Sequence, residues 1–89
     1  MKVKVKCEEI EGEGLLALLG KRVTLFCMNY IYTGKLVGVN ETFIKLEKAK
    51  IVYQTGAFNK TTFEDAQGLP FDTYIQLNSI ESYSKTDKV

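Results

Sequence analysis

The side chains that most often perform catalysis are scarce in this 89-residue sequence. Histidine, the commonest general base, is missing altogether, and no serine or cysteine lies in a recognisable nucleophile motif. Glu64 and Asp65 form an adjacent acidic pair. Adjacent residues of an extended chain point in opposite directions, so this pair indicates a solvated turn rather than a metal site. We therefore expect no enzymatic activity, no metal site and no cofactor.

The two cysteines, Cys7 and Cys27, form no CxxC motif. Without histidine, a zinc site would need two carboxylates beside them, which is rare in structural sites. The simplest interpretation is two reduced thiols in the core. The N-terminal residues lack the apolar segment of a signal peptide, and no run of about 18 apolar residues could span a membrane. We therefore predict a cytoplasmic protein that does not bind a membrane.

Residues suited to nucleic-acid binding flank a short bend at positions 40–42. Three are aromatic and three are lysines: Tyr30, Tyr32, Phe43, Lys45, Lys48 and Lys50. Aromatic rings stack on bases, and lysines neutralise phosphates. The same residues have plainer explanations, because aromatics in strands usually belong to a core or an interface, and lysines often form a solvated face. The formal net charge of +1 and the single arginine give nucleic-acid binding no general support.

The elements that must position these residues are mostly strands. Segment 2–7 alternates valine or cysteine with lysine, which predicts a half-buried strand. The leucine-rich segment 15–20 ends at Gly20 and predicts either a short helix or a buried strand. Residues 21–40 are β-branched and aromatic, and they predict two strands joined by a hairpin at Asn29–Tyr30.

Glycines and a register change predict bends in these strands. Gly34 and Gly38 interrupt the second strand of the hairpin, where glycine usually marks a sharp bend or a bulge. In the long strand at 42–56 the apolar register slips by one residue, which predicts a bulge near Glu47–Lys48. Strands bent in this way can serve both halves of a small closed sheet.

The last part of the chain adds a long connection and two short strands. Segment 55–70 is rich in turn residues, and its two phenylalanines predict an ordered excursion rather than a slack linker. Alternation at 71–78 and a short β-rich run at 79–83 predict the final strands, before a frayed polar tail at 84–89. Several short strands with glycine bends predict a small all-β barrel.

The stretch LLALLGKRVTLFC…YTGKLVGVNETFIKLEKA resembles the first sequence motif of the Sm, LSm and Hfq proteins, which form ring-shaped RNA-binding assemblies. The resemblance covers residues 15–52, and a second motif can be aligned on 74–84. The family's pattern positions are occupied by Tyr32, Gly34, Leu36 and Asn40. The resemblance implies an all-β fold, a small, strongly bent, five-stranded Sm-like (SH3-type) barrel with a short N-terminal helix and an extra N-terminal strand.

On this resemblance, the whole of 1–89 is a single Sm-like domain. Its parts are an N-terminal strand and loop at 1–13, a short helix at 14–20, a barrel at 21–83 that includes the excursion at 55–70, and a tail at 84–89. Because a domain of this length buries only a modest core, oligomerisation would stabilise it.

The residues that read bases in the family are mostly replaced here. Thr42 stands where the family often has a stacking residue, and Ile44 stands where Sm and LSm proteins have a base-binding asparagine. Leu77 and Asn78 align with the Arg-Gly or Lys-His pair near the pore, so Asn40 and Asn78 are what remains of the usual pocket. The bend is then better explained as a connection. The candidate RNA-binding residues are Asn40, Thr42, Phe43, Tyr32, Lys45, Lys48 and Asn78.

In the family, the fourth strand of one subunit pairs with the fifth strand of the next and closes a ring. The corresponding interface residues here are Tyr74, Ile75, Leu77, Ile80 and Tyr83. The resemblance implies a homo-oligomeric ring of roughly five to seven subunits. One hypothesis is a ring that binds single-stranded RNA through an altered base pocket, and the alternative is a structural or protein-binding homo-oligomer without a nucleic-acid role. Either kind would suit a compact viral genome such as that of a phage.

Overall fold

The computed structural model describes residues 11–89, so the strand predicted at 2–7 lies outside the described range. Antiparallel strands dominate this range, which confirms the all-β prediction. They are β1 (Arg22–Cys27), β2 (Ile31–Val39), β3 (Phe43–Gln54), β4 (Asp65–Gly68), β5 (Thr73–Gln76) and β6 (Ile80–Lys85). The strand order is β4-β3-β2-β1-β6, and β5 also pairs with β3. A 3-10 turn at Leu77–Ser79 joins β5 to β6.

A three-residue 3-10 turn, Leu16–Leu18, stands in place of the helix predicted at 14–20. Gly20 has a φ angle of 83°, and its N–H donates to a β2 carbonyl at 2.7 Å, so the chain leaves the helical path and enters the sheet. Leu15 and Leu18 pack against the core. Only part of the leucine-rich segment therefore packs against the core, because the side chains of Leu16 and Leu19 are exposed.

The first hairpin, between β1 and β2, has its tip at the predicted position. The N–H of Cys27 donates to the carbonyl of Tyr30 at 3.0 Å, which closes the loop around Asn29. On β1, Val23 and Leu25 are fully buried. One face of β1 therefore lies in the core, and Thr24 on the other face is also buried.

The predicted bulge in β3 is confirmed. Thr33 pairs with Lys50, but two residues further along β2 Lys35 pairs with Glu47, so β3 has one extra residue in this interval. Lys48 lies in the interval and has a φ angle of 52°. A left-handed backbone angle is uncommon outside glycine and asparagine, and here it accommodates the extra residue.

Gly34 lies against this bulge. A Cβ atom at this position would be 3.1 Å from the Cα of Ala49 and 3.1 Å from the carbonyl oxygen of Glu47. These distances are shorter than an ordinary van der Waals contact, so a side chain here would push the two strands apart by a few tenths of an ångström. The glycine predicted to mark a bend is therefore favoured by the close contact between β2 and β3.

The long strand β3 pairs with β2 on one edge and with two short strands on the other. Its first part pairs with β5, and its last part pairs with β4. The core packed on this sheet is formed by Val23, Leu25, Leu36, Ile44, Leu46, Ala49 and Ile75. Strand β4 was not predicted, because its sequence DAQG contains residues that are depleted in strands.

The segment 84–89, predicted to be a frayed tail, is held in place instead. Its first two residues continue β6. The N–H of Val89 donates to the carbonyl of Thr61 at 2.9 Å, and the N–H of Phe63 donates to the carbonyl of Val89 at 2.7 Å. These backbone hydrogen bonds, which residue types alone do not reveal, attach the segment to the ordered excursion.

Candidate functional site

The bend between β2 and β3 is closed by the side chain of Asn40. Its Oδ1 accepts hydrogen bonds from the N–H groups of Thr42 at 2.9 Å and Phe43 at 2.8 Å, and from the Thr42 hydroxyl at 3.3 Å. The N–H of Asn40 also donates to the carbonyl of Phe43 at 3.0 Å. An asparagine that bonds the backbone two or three residues ahead is a turn-forming device. The Asn40 oxygen is therefore used by the turn.

This bend forms one wall of an open cleft of about 380 Å³. The carbonyl of Thr42 accepts a hydrogen bond from the N–H of Leu77 at 2.9 Å, which joins the bend to the 3-10 turn after β5. The cleft, called the turn cleft below, is lined by Glu41, Thr42, Phe43, Gln76, Leu77 and Asn78. Three predicted RNA-binding residues, Thr42, Phe43 and Asn78, thus line one cleft.

A row of aromatic and cationic side chains continues from the turn cleft across β3 and β5. The rings of Phe43 and Tyr74 meet edge to face, with centroids 5.5 Å apart. The Lys45 ammonium lies 5.7 Å from the centroid of the Tyr74 ring and 3.5 Å from the Asp72 carboxylate. Tyr74, and after it Asp72, raises the pKa of Lys45. Lys45 therefore stays charged, beside an aromatic surface and a carboxylate.

Tyr32 and Lys48, two further candidates, do not line the turn cleft. Tyr32 borders a separate groove of about 260 Å³ together with β5 and Ser79. Its ring meets that of Tyr30 at 6.3 Å, and burial is the first cause that raises its pKa. Lys48 is the left-handed residue of the β3 bulge. Its position is thus explained by the backbone without a ligand.

The predicted interface residues differ in their exposure. Tyr74 is 60% exposed and Tyr83 is 40% exposed. Ile75 is only 5% exposed and belongs to the core, and Leu77 and Ile80 are partly buried against it. The side chains of Tyr74 and Tyr83 are therefore the members of this set that a neighbouring molecule could contact most.

Three residues near the site were missed by sequence reasoning: Glu41, Asp72 and Gln76. Gln76 faces Phe43 across the β3–β5 pair, and Asp72 precedes β5. The missing signal was the register of this pair, which joins segments about 30 residues apart in the chain and is set by the whole sheet rather than by local pattern.

Across residues 11–89, no helix is long and apolar enough to cross a membrane. In the same range, no group of three or more cysteines and acidic residues lies close enough to hold a metal ion. Cys27 is a free thiol, and burial is the first cause that raises its pKa. No family model and no curated protein matches the chain. Its function must therefore be inferred from the fold and the clefts.

Proposed function

We propose that the chain is an Sm-like protein that assembles into a ring and binds single-stranded RNA at the turn cleft. The observation that carries this proposal is the convergence of Thr42, Phe43 and Asn78 on one cleft from two distant segments. A hydroxyl, an aromatic ring and an amide are groups that contact unpaired bases by hydrogen bonding and stacking.

An Sm-like barrel is supported by the way the strands share partners. The bulge at Lys48 divides β3 into a part that pairs with β5 and a part that pairs with β4. Gly34 permits close approach at the same point. Bulges and glycine kinks are the devices by which a sheet curves around a single core. With β4 treated as an insertion, the remaining five strands have the number expected of the barrel.

Ring assembly is supported by the outer edge of β5. The hydrogen bond from Leu77 to Thr42 makes these residues a bonded pair, and such pairs alternate along antiparallel strands. The N–H and C=O groups of Tyr74 and the N–H of Gln76 therefore point away from β3, and the Gln76 C=O on the same side accepts a hydrogen bond from the Ser79 hydroxyl at 2.8 Å. Among residues 11–89, only β3 pairs with β5. Such an edge can pair with β6 of another subunit, and repetition of this heterologous contact closes a ring of roughly five to seven subunits.

In this proposal the aromatic row and the cleft have different roles. Phe43 and Tyr74 offer ring surface for a base, and the hydroxyl and amides of the cleft contact base edges. Lys45 contacts the phosphate backbone. Each contact is weak in one subunit, but a ring repeats it around one axis, and the summed field of the lysines attracts the polyanion.

The alternative, a homo-oligomer with a structural or protein-binding role, is favoured by two other observations. The Asn40 oxygen is fully engaged in the turn. Lys45 already has the Asp72 carboxylate 3.5 Å away, which offsets its charge. In that case Tyr74 and the exposed edge of β5 would serve contacts between protein chains.

The two functions are separated by measuring assembly and RNA binding on the same sample. Light scattering gives the mass of the assembly, and fluorescence anisotropy with short labelled U-rich, A-rich and mixed RNAs gives binding at low and moderate salt. The proposal predicts a ring mass and RNA binding that weakens as salt rises. A ring that binds none of these RNAs at low salt would support the alternative, and a monomer would contradict both.

Variants then locate the binding surface. Phe43→Leu is expected to weaken RNA binding about tenfold, because stacking contributes about 1–3 kcal/mol per base. Phe71→Leu is the matched control, since Phe71 is 61% exposed and lies outside the turn cleft. Asp72→Asn is expected to strengthen binding by releasing Lys45. If Phe43→Leu and Phe71→Leu bound equally well, the turn cleft would not be the RNA site.

A further inference from the structure

A second open cleft, of about 340 Å³, lies on the opposite face of β1 from the core. One wall is the excursion between β3 and β4, and the other is the end of β6 with the segment that follows it. We call it the excursion cleft. The residues that matter below are Phe26, Phe58, Lys60, Lys85, Asp87 and Lys88. None of them lines the turn cleft.

The first unusual feature of this cleft is the environment of Lys88, which is only 6% exposed. Its Nζ donates a hydrogen bond to the carbonyl of Ala57 at 2.6 Å. The ammonium also lies 5.8 Å from the centroid of the Phe58 ring and 5.4 Å from that of the Phe63 ring. Among residues 11–89, no carboxylate lies within ion-pair distance of it. The carbonyl and the two rings hold this ammonium but do not neutralise its charge, so an anion nearby would be stabilising.

The second feature is the exposed ring of Phe58, which lies in the same cleft. Phe58 is 71% exposed, although it touches Phe26 with ring centroids 6.3 Å apart. Phe26 and the Lys88 ammonium occupy part of the surroundings of this ring, and the exposed remainder offers a stacking surface to a planar ligand.

The third feature is the excess of positive charge along the cleft. Among residues 11–89, three lysines line it, Lys60, Lys85 and Lys88, against one acidic residue, Asp87. Hydroxyls of Ser84 and Thr86 also lie along the wall. Ammonium and hydroxyl groups are the usual donors to phosphate oxygens. This local excess contrasts with the formal net charge of +1 for the whole chain.

We propose that the excursion cleft is a binding site for a nucleoside phosphate. Lys60 and Lys85 contact the phosphate, whose charge also compensates the buried ammonium of Lys88, and the base stacks on Phe58. The ligand is either a free nucleotide or one nucleotide of a single strand, because both present the same chemistry. This site does not rest on RNA binding at the turn cleft, since the two clefts share no residue.

The test is equilibrium dialysis of the full chain with labelled AMP, with adenosine and inorganic phosphate as competitors. We expect AMP to bind and each competitor to be at least tenfold weaker, because each lacks one of the two contacts. Phe58→Leu should weaken AMP binding about tenfold. The double variant Lys60→Gln, Lys85→Gln should weaken it about tenfold or more, because hydrogen bonds to charged groups are strong.

Matched controls are Phe71→Leu and Lys35→Gln, which change an exposed phenylalanine and an exposed lysine outside the cleft. Both should bind AMP like the parent protein. The source of the ligand is then found by competition with RNA. Displacement of AMP by RNA carrying a 5′-phosphate, but not by 5′-hydroxyl RNA, indicates a terminal nucleotide. Displacement by both indicates an internal nucleotide, and displacement by neither indicates a free nucleotide.

Several results would overturn this proposal. One is a failure of AMP to bind at millimolar concentration. Another is adenosine or inorganic phosphate binding as tightly as AMP, because either the phosphate contact or the base contact would then contribute nothing to affinity. A third is equal loss of binding in the cleft variants and in the controls. AMP binding that depends on Phe43 but not on Phe58 would place the nucleotide in the turn cleft and remove this site.

Discussion

Replacing Asn40 by alanine is expected to lower the free energy of unfolding by about 1–2 kcal/mol. The Asn40 oxygen accepts hydrogen bonds from the N–H groups of Thr42 at 2.9 Å and Phe43 at 2.8 Å. The turn is exposed, so water replaces part of each lost bond. Each bond therefore contributes about 0.5–1 kcal/mol rather than the larger value of a buried pair.

Urea unfolding followed by circular dichroism measures this change, at one fixed concentration because the stability of an oligomer depends on concentration. With a slope of about 1 kcal/mol per molar urea for a small domain, the midpoint should fall by about 1–2 M. Asn40→Asp is the matched variant, since its carboxylate can accept the same bonds, and its midpoint should stay within about 0.5 M of the parent. Thr42→Val removes only the 3.3 Å hydroxyl bond and should also change little.

The reasoning would be refuted by a midpoint for Asn40→Ala within about 0.3 M of the parent, which is near the resolution of such measurements. A loss in Asn40→Asp as large as that in Asn40→Ala would refute it too. Either result would mean that the turn does not need the Asn40 oxygen. The whole amide would then be available to a ligand, and Asn40 would become a stronger RNA-binding candidate.

Changes at four further positions test other parts of the structure by the same unfolding measurement. Lys88→Met should lower the free energy of unfolding by about 2 kcal/mol, because the Ala57 carbonyl loses a charged donor and two aromatic rings lose a cation. Amide hydrogen exchange in the excursion should become faster in this variant. Gly34→Ala should cost about 1–3 kcal/mol, because a Cβ would lie 3.1 Å from the β3 backbone. Lys48→Gly should raise stability by up to about 1 kcal/mol, whereas Lys48→Val should lower it, because of the left-handed φ angle. Because the pKa of Cys27 is raised in the folded state, the thiol of the unfolded chain ionises first as the pH rises past the ordinary thiol pKa near 9.0. The free energy of unfolding should therefore fall above that pH. The fall should be smaller in Cys27→Ser.

Local patterns were enough to predict most strands and the main irregularity. The bulge in β3 was predictable because a one-residue slip moves the apolar positions to the other face, and Lys48 lies where the slip occurs. Gly34 was also informative, since glycine inside a strand indicates a close approach. These features are encoded in neighbouring residues and need no knowledge of the rest of the fold.

Other features depend on contacts between distant segments and were not predictable in this way. Strand β4 exists because the β3 edge is available to pair with it, although its own residues are poor strand formers. The end of the chain looked like a polar tail, but its backbone pairs with the excursion at Thr61 and Phe63. Residue type predicts such pairing poorly, because every residue carries the same backbone donors and acceptors.

The candidate sites follow the same division. Asn40 and Phe43 were found because they flank a recognisable turn, whereas Gln76 and Asp72 join the site only through the β3–β5 register. The excursion cleft was not predicted at all. Its key residue, Lys88, resembles any surface lysine in the sequence, and only the fold buries it between two rings.

The net charge of this chain is a weak guide to what it binds, because the fold distributes positive and negative side chains unevenly over the surface. Lys45 lies 3.5 Å from the Asp72 carboxylate, which offsets part of its charge. Lys60, Lys85 and Lys88 line one cleft, where Asp87 is the one acidic residue among the described residues 11–89. The field that a phosphate meets depends on charges within about a Debye length, roughly 8–10 Å, rather than on the sum over the chain. A formal charge of +1 therefore does not argue against nucleic-acid or nucleotide binding at a particular cleft. Variants that alter these local groups are a better test than any measure of the whole molecule.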